Sequence, residues 1–139
     1  MATFTKFNDF VEQLGLAKHN LDADTLKVFL TNELPLATDT IKANMAEITA
    51  ENGYTAGGAD ATGVWSESPA GTGQLVCTDI VWTASGGTIG PFQYAVLYND
   101  TQTSPADALI GWWDYGSAVT LQASETFTVD FAATTITVV

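Results

Sequence analysis

Beyond residue 74 the chain alternates β-branched or aromatic residues with polar or small ones, and turn chemistry interrupts the alternation at intervals. A period of two places one set of side chains on one face of an extended backbone, whereas a helix face needs repeats of three and four. Residues 74–84 put Val76, Thr78, Ile80 and Trp82 on one side, and Ser85, Gly86 and Gly87 follow as a turn. Residues 92–98 set Phe92, Tyr94, Val96 and Tyr98 against Gln93, Ala95 and Leu97, with Asn99 and Asp100 ending the run. Residues 108–114 form the next candidate, turning through Tyr115 and Gly116 into residues 118–122. Phe127, Val129 and Phe131 then oppose Thr126, Thr128 and Asp130, and residues 135–139 make a final strand. About five to eight short strands between turns predict a mainly β fold, an antiparallel β-sandwich or jelly-roll-like domain.

The first third is mixed and predicts one or two short N-terminal helices. Phe7, Phe10, Val11 and Leu14 share one helix face across residues 5–15, with Thr5 as a cap and Gly15 as a stop. Leu26, Val28 and Leu30 alternate with Lys27, Phe29 and Thr31, which reads as a strand. Pro35 interrupts pairing, and Ile41, Met45 and Ile48 suit one face of a short second helix that Asn52 and Gly53 end. Residues 53–73, rich in Gly, Ala, Ser and Thr, read as a long loop with a short strand near Val64 to Glu67. At 139 residues and 14.7 kDa the length suits one domain over 1–139. Within it, 1–52 is the mixed part, 53–73 the loop-rich part and 74–139 the β-rich part.

Charge divides the chain further. Lys6, Lys18, Lys27 and Lys42 are the only cations and lie beside six acids in the first 42 residues, whereas residues 43–139 hold ten acids and no cation. A net charge of −12 without clustered Lys or Arg excludes a nucleic-acid partner and repels anionic membranes. No stretch approaches the roughly 20 apolar residues of a membrane-spanning helix. The opening residues lack the apolar core of a signal peptide, so synthesis and folding in a reducing cytosol is expected.

Reactive chemistry is sparse, and no catalytic residue, metal ligand or cofactor is assigned. His19, beyond the first helix, reads as a capping or surface residue, and Cys77 as a small packed residue in a strand. Asp22 and Asp24 begin like an oxygen-ligand loop, but the rest of that pattern does not follow. Trp112, Trp113 and Tyr115 beside Asp114 have the aromatic-and-carboxylate composition of sugar sites, although tandem tryptophans on a strand point to opposite faces. Phe4, Phe29, Trp65, Trp82, Trp113, Val138 and Val139 amount to more apolar surface than a small sandwich easily hides, which favours an assembled protein over a diffusing enzyme.

Several runs bring a family with them. Phe7-Asn8-Asp9-Phe10, Leu26 to Asn32 with Pro35, Asn52 to Gly58, Tyr94 to Asp100, Leu109 to Gly116 and Thr126 to Phe131 together resemble small structural, head-decoration-like proteins of tailed bacteriophages. The resemblance implies a non-enzymatic virion protein made in the host cytoplasm and bound to the outside of the head. Its partners would be the major capsid protein and sister copies, as a dimer or trimer. Tail, collar or fibre association is the alternative within the virion, and a carbohydrate-binding module using Trp112, Trp113 and Tyr115 the alternative outside that class. Phe4, Lys6, Phe7 and Phe10, with Trp113, Val138 and Val139, are the expected interface residues. The N-terminal segment is the expected capsid-facing part, so that deleting residues 1–15 would abolish occupancy and leave a folded β-core.

Overall fold

The computed structural model describes residues 3–131 and 134–139. In chain order these form β1 (Phe4–Lys6), α1 (Asp9–Gly15), β2 (Leu26–Thr31), a 3-10 turn (Lys42–Asn44), β3 (Ala59–Asp60), β4 (Gly63–Glu67) and β5 (Gly73–Cys77). There follow β6 (Ile80–Thr83), β7 (Ile89–Thr103), β8 (Ala106–Leu121), β9 (Thr126–Val129) and β10 (Ile136–Val138). The mainly β, sandwich-like architecture agrees with the alternation in the sequence. Every ladder is antiparallel. One sheet runs β1-β8-β7-β2-β3, and across its inner face lie a three-stranded sheet, β10-β5-β4, and the pair β6-β9.

The long hairpin of β7 and β8 is the spine, and its middle is buried on both faces. Phe92, Ala95, Leu97, Ile110 and Trp113 join Leu75, Ile80, Trp82, Val129, Phe131 and Ile136 in the main core. Tyr94, Val96, Tyr98 and Leu109 face the other way, into a second core with Phe7, Phe29 and Met45. Phe92 therefore does not share a face with Tyr94, as strict alternation predicted. An irregularity between the two residues shifts the ladder and turns the side chains over.

Residues 74–84 differ from the single strand expected of them. β5 and β6 belong to different sheets, and Leu75 and Cys77 are buried while Val76 is exposed. Thr78 and Asp79 insert two residues between strands; the Thr78 amide donates to the Thr62 carbonyl and the Phe131 amide donates to Asp79. The second helix is also absent as such. Ile41 bridges to Ala108 in extended conformation, and only Lys42–Asn44 makes a turn. Met45 enters the second core and Ile48 packs on the first, so the spacing of three and four serves two surfaces rather than one helix face.

The first helix begins later than its apolar spacing suggests. Residues 4–6 are captured as β1 on β8, with Phe4 opposite Trp113 and Lys6 opposite Gly111, and α1 starts at Asp9. Phe10 is buried, whereas Val11 on the same notional face is exposed.

The segment from Lys42 to Gly58 is fastened over the second core by polar contacts. Lys42 pairs with Glu47 at 2.7 Å, and Glu47 also accepts from the Tyr54 hydroxyl and the Gly57 amide, each at 2.7 Å. Tyr98 donates to the Gly57 carbonyl at 2.8 Å, and burial pushes both tyrosine hydroxyls above their ordinary range. Gly58 lies against the backbone of β2 with φ of +81°, where a Cβ would run into the Val28 carbonyl.

Candidate functional site: the seam between the first and last strands

The two margins of the five-stranded sheet end differently. Beyond β3, the edge of β2 is sealed: the Leu30 amide donates to the Tyr54 hydroxyl at 3.0 Å, and the Ile48 amide donates to the Leu30 carbonyl at 3.1 Å. At the opposite margin β1 pairs with β8 alone. The Phe7 amide donates to the Ile110 carbonyl at 3.0 Å, which sets the phase of that ladder. Thr5 and Phe7 aim their backbone groups at β8, and those of Phe4 and Lys6 therefore point outward. Among the described residues nothing takes them up.

The last strand stands beside this margin. β10 pairs with β5 on one side and is the end strand of its own sheet. Between β1 and β10 lies a cleft of about 400 Å³, walled by Thr3, Phe4 and Lys6 on one side and Thr135, Ile136 and Thr137 on the other, with Phe10 also in its lining. It is the open seam of the sandwich, where the first and last strands of the described chain fail to meet.

Two of the four lysines have ion-pair partners among the described residues. Lys27 pairs with Asp100 at 3.4 Å and approaches Asp60 at 4.0 Å, and Lys42 pairs with Glu47. Lys6, exposed at the seam, and Lys18, half-buried beyond α1 and away from the seam, make no ion pair among the described residues. In a chain with sixteen acids, an ammonium with no ion pair among the described residues thus lies beside outward-pointing backbone groups.

The seven expected interface residues divide on inspection. Phe7 is fully enclosed in the second core, Phe10 is buried in the main core with an edge on the cleft, and Trp113 is buried between Phe4 and Phe131 at ring separations of 5.1 and 5.4 Å. Phe4 is half-buried with its ring on Trp113, while Lys6, Val138 and Val139 reach solvent, Val139 fully. Of the seven residues expected to be surplus apolar surface, Phe29, Trp82 and Trp113 are hidden within one chain because both faces of its large sheet are covered, whereas Phe4 and Trp65 are half-buried and Val138 and Val139 exposed. Deletion of residues 1–15 would remove Phe7 and Phe10 from the cores, so it cannot leave the β-core intact. Thr135 and Thr137 went unnoticed in the sequence; their only signal is membership of the final alternating run.

Other candidate residues lie elsewhere. His19 is buried rather than a surface cap: its Nδ1 is 3.1 Å from the Asn99 side-chain nitrogen, and its ring is 5.3 Å from that of Phe10. Burial lowers its pKa, opposed by the charges of Asp24 and Asp9. Cys77 is buried, and burial raises its thiol pKa against a hydrogen bond with Thr135. Asp22 accepts from the Trp65 amide and Asp24 from Asn20 and Asn99, so both fasten a loop. Among the described residues no group of three or more His, Cys, Asp or Glu is placed to hold a metal ion, and no helix is long and apolar enough to cross a membrane.

Trp112 and Trp113 face opposite ways, Trp112 toward Phe7 at 4.6 Å. Only Trp113 and Tyr115 share a surface hollow, of about 140 Å³, with Gln93, Phe127 and Asp130. No family model, curated protein or solved structure matches this chain.

Proposed function

We propose that the chain is a structural virion protein of a tailed phage, a decoration protein that docks on the outside of the assembled head through the seam between β1 and β10. The observation that carries this reading is the pairing of two unsealed strand edges with the unpaired Lys6 on a strongly acidic molecule. Such a place recognises backbone and charge, and it offers a reacting substrate nothing. The resemblance of the sequence to head-decoration-like proteins supports the same reading. Docking joins the chain to the major capsid protein, and each contact gains from repetition over the shell. The acid-rich, cation-free part of the chain keeps the decorated particle soluble and apart from its neighbours.

Sedimentation with purified heads and purified tails tests this. The protein should pellet with heads, and Lys6→Glu should reduce that binding several-fold while the melting temperature stays unchanged. Pelleting with tails alone would move the protein to the tail or collar. A second reading, a carbohydrate-binding module, draws on the hollow shared by Trp113 and Tyr115. It requires glycan-array binding that Tyr115→Ala removes and Trp112→Phe leaves intact.

A further inference from the structure

The seam has the dimensions and chemistry of a missing strand. β1 and β10 are three residues long each, and both end their sheets at the cleft. A three-residue strand extends about 10 Å, and the cleft of about 400 Å³ runs beside Phe4 and Lys6 of β1 and Ile136 and Thr137 of β10. That length matches the strands on either side.

We infer that the seam accepts one extended segment of the docking partner, which pairs with the outward backbone groups of Phe4 and Lys6, packs alternate apolar side chains on Phe4, Phe10 and Ile136, and presents a carboxylate to Lys6. Strand addition is the recognition mode in which backbone hydrogen bonds supply affinity and alternate side-chain positions supply specificity. The carboxylate follows from the charge at the cleft: Lys6 lines it without an ion-pair partner among the described residues, whereas Lys18, also without one, lies outside it. One carboxylate suffices, because a strongly acidic segment would be repelled by a chain of net charge −12. The inference rests on the docking reading of the seam and names what the partner brings to it.

The test uses a short end-capped peptide of alternating valine and threonine with one central glutamate, and amide hydrogen exchange read residue by residue on the whole protein. The Lys6 amide, open in the free protein, should exchange about tenfold more slowly with the peptide. The Thr5 and Phe7 amides, already bonded to β8, should change little. Replacing the peptide glutamate by lysine should weaken the protection, as should Lys6→Gln, which keeps the backbone donor and removes the charge. Lys6→Pro removes the outward donor, leaves the bonds of Thr5 and Phe7 in place and should abolish protection of the neighbouring Phe4 amide.

A Lys6 amide that exchanges equally fast with and without peptide overturns the inference. So does protection that rises with protein concentration alone, which would make the occupant a second copy. The two readings fail separately. Heads that bind protein whose Lys6 amide stays open keep decoration and refute strand addition. A peptide that protects Lys6 in a protein that never binds heads keeps strand addition and refutes decoration.

Discussion

His19 shows how one buried ring ties distant parts of the chain together. It is 5% exposed, and the Asn99 side chain donates both to its Nδ1 and, at 2.7 Å, to Asp24. Accepting at Nδ1 leaves the proton on Nε2, which is buried without a hydrogen-bond partner among the described residues. Burial lowers the His19 pKa, so between the ordinary value of 6.5 and the lowered one the unfolded chain binds more protons than the folded chain. The contribution of His19 to stability is therefore fully present above 6.5 and is lost as the pH drops below it. Thermal melts from pH 7.5 to 5 should show a declining midpoint that His19→Gln, a residue able to accept but unable to titrate there, flattens. An equal slope in the variant would assign the acid sensitivity elsewhere. Asn99→Ala should cost about 2 kcal/mol in denaturant unfolding, because it strips a donor from a buried acceptor on His19 and a partly buried one on Asp24. The sequence hid this site. A lone His after a helix has the same signature whether it caps that helix or reaches 80 positions along the chain to Asn99.

At the scale of elements, what the sequence disclosed was alternation, and what it concealed was which surface each alternation serves. β2 and β9 were legible because their alternation is regular and their flanks carry turn residues. The break between β5 and β6 was not, because Thr78 and Asp79 fit a strand as well as a connector, and only the Asp79 contact with the Phe131 amide shows that the chain changes sheet. The apolar spacing at Ile41, Met45 and Ile48 was misleading for a related reason: two cores lie within reach of one segment, and Glu47 makes the extended path worthwhile by serving Lys42, Tyr54 and Gly57. Glu47→Ala should destabilise the fold by about 3 kcal/mol, since it leaves a partly buried cation and a tyrosine hydroxyl without their acceptor. Amide exchange should quicken from Lys42 to Gly58 and spare β7 and β8. Uniform quickening over all elements would contradict the view that Glu47 fastens that segment in particular. The seam was half-legible: Lys6, Val138 and Val139 stood out by charge and by exposed apolar character, but the sealing of the opposite margin by Tyr54 and Ile48 depends on contacts that only the folded chain reveals.

For the whole molecule, the segregation of charge gains a structural meaning. Lys27 pairs with Asp100 of the β-rich part and Lys42 with Glu47 inside the mixed part, so the cation-rich segment is no separate basic face. What remains is an acidic domain whose β1 margin is unsealed and carries an exposed ammonium with no ion pair among the described residues. A domain so built can associate without a large exposed apolar patch, because strand edges supply direction and the acid-rich remainder discourages indiscriminate stacking. The most direct test is a cryo-microscopy map of the intact particle at a resolution that traces strands. The account predicts density for this chain on the outside of the head, with β1 and β10 turned toward the capsid and an extended capsid segment lying between them. Density on the head with the seam facing solvent, or none on the head at all, would contradict it.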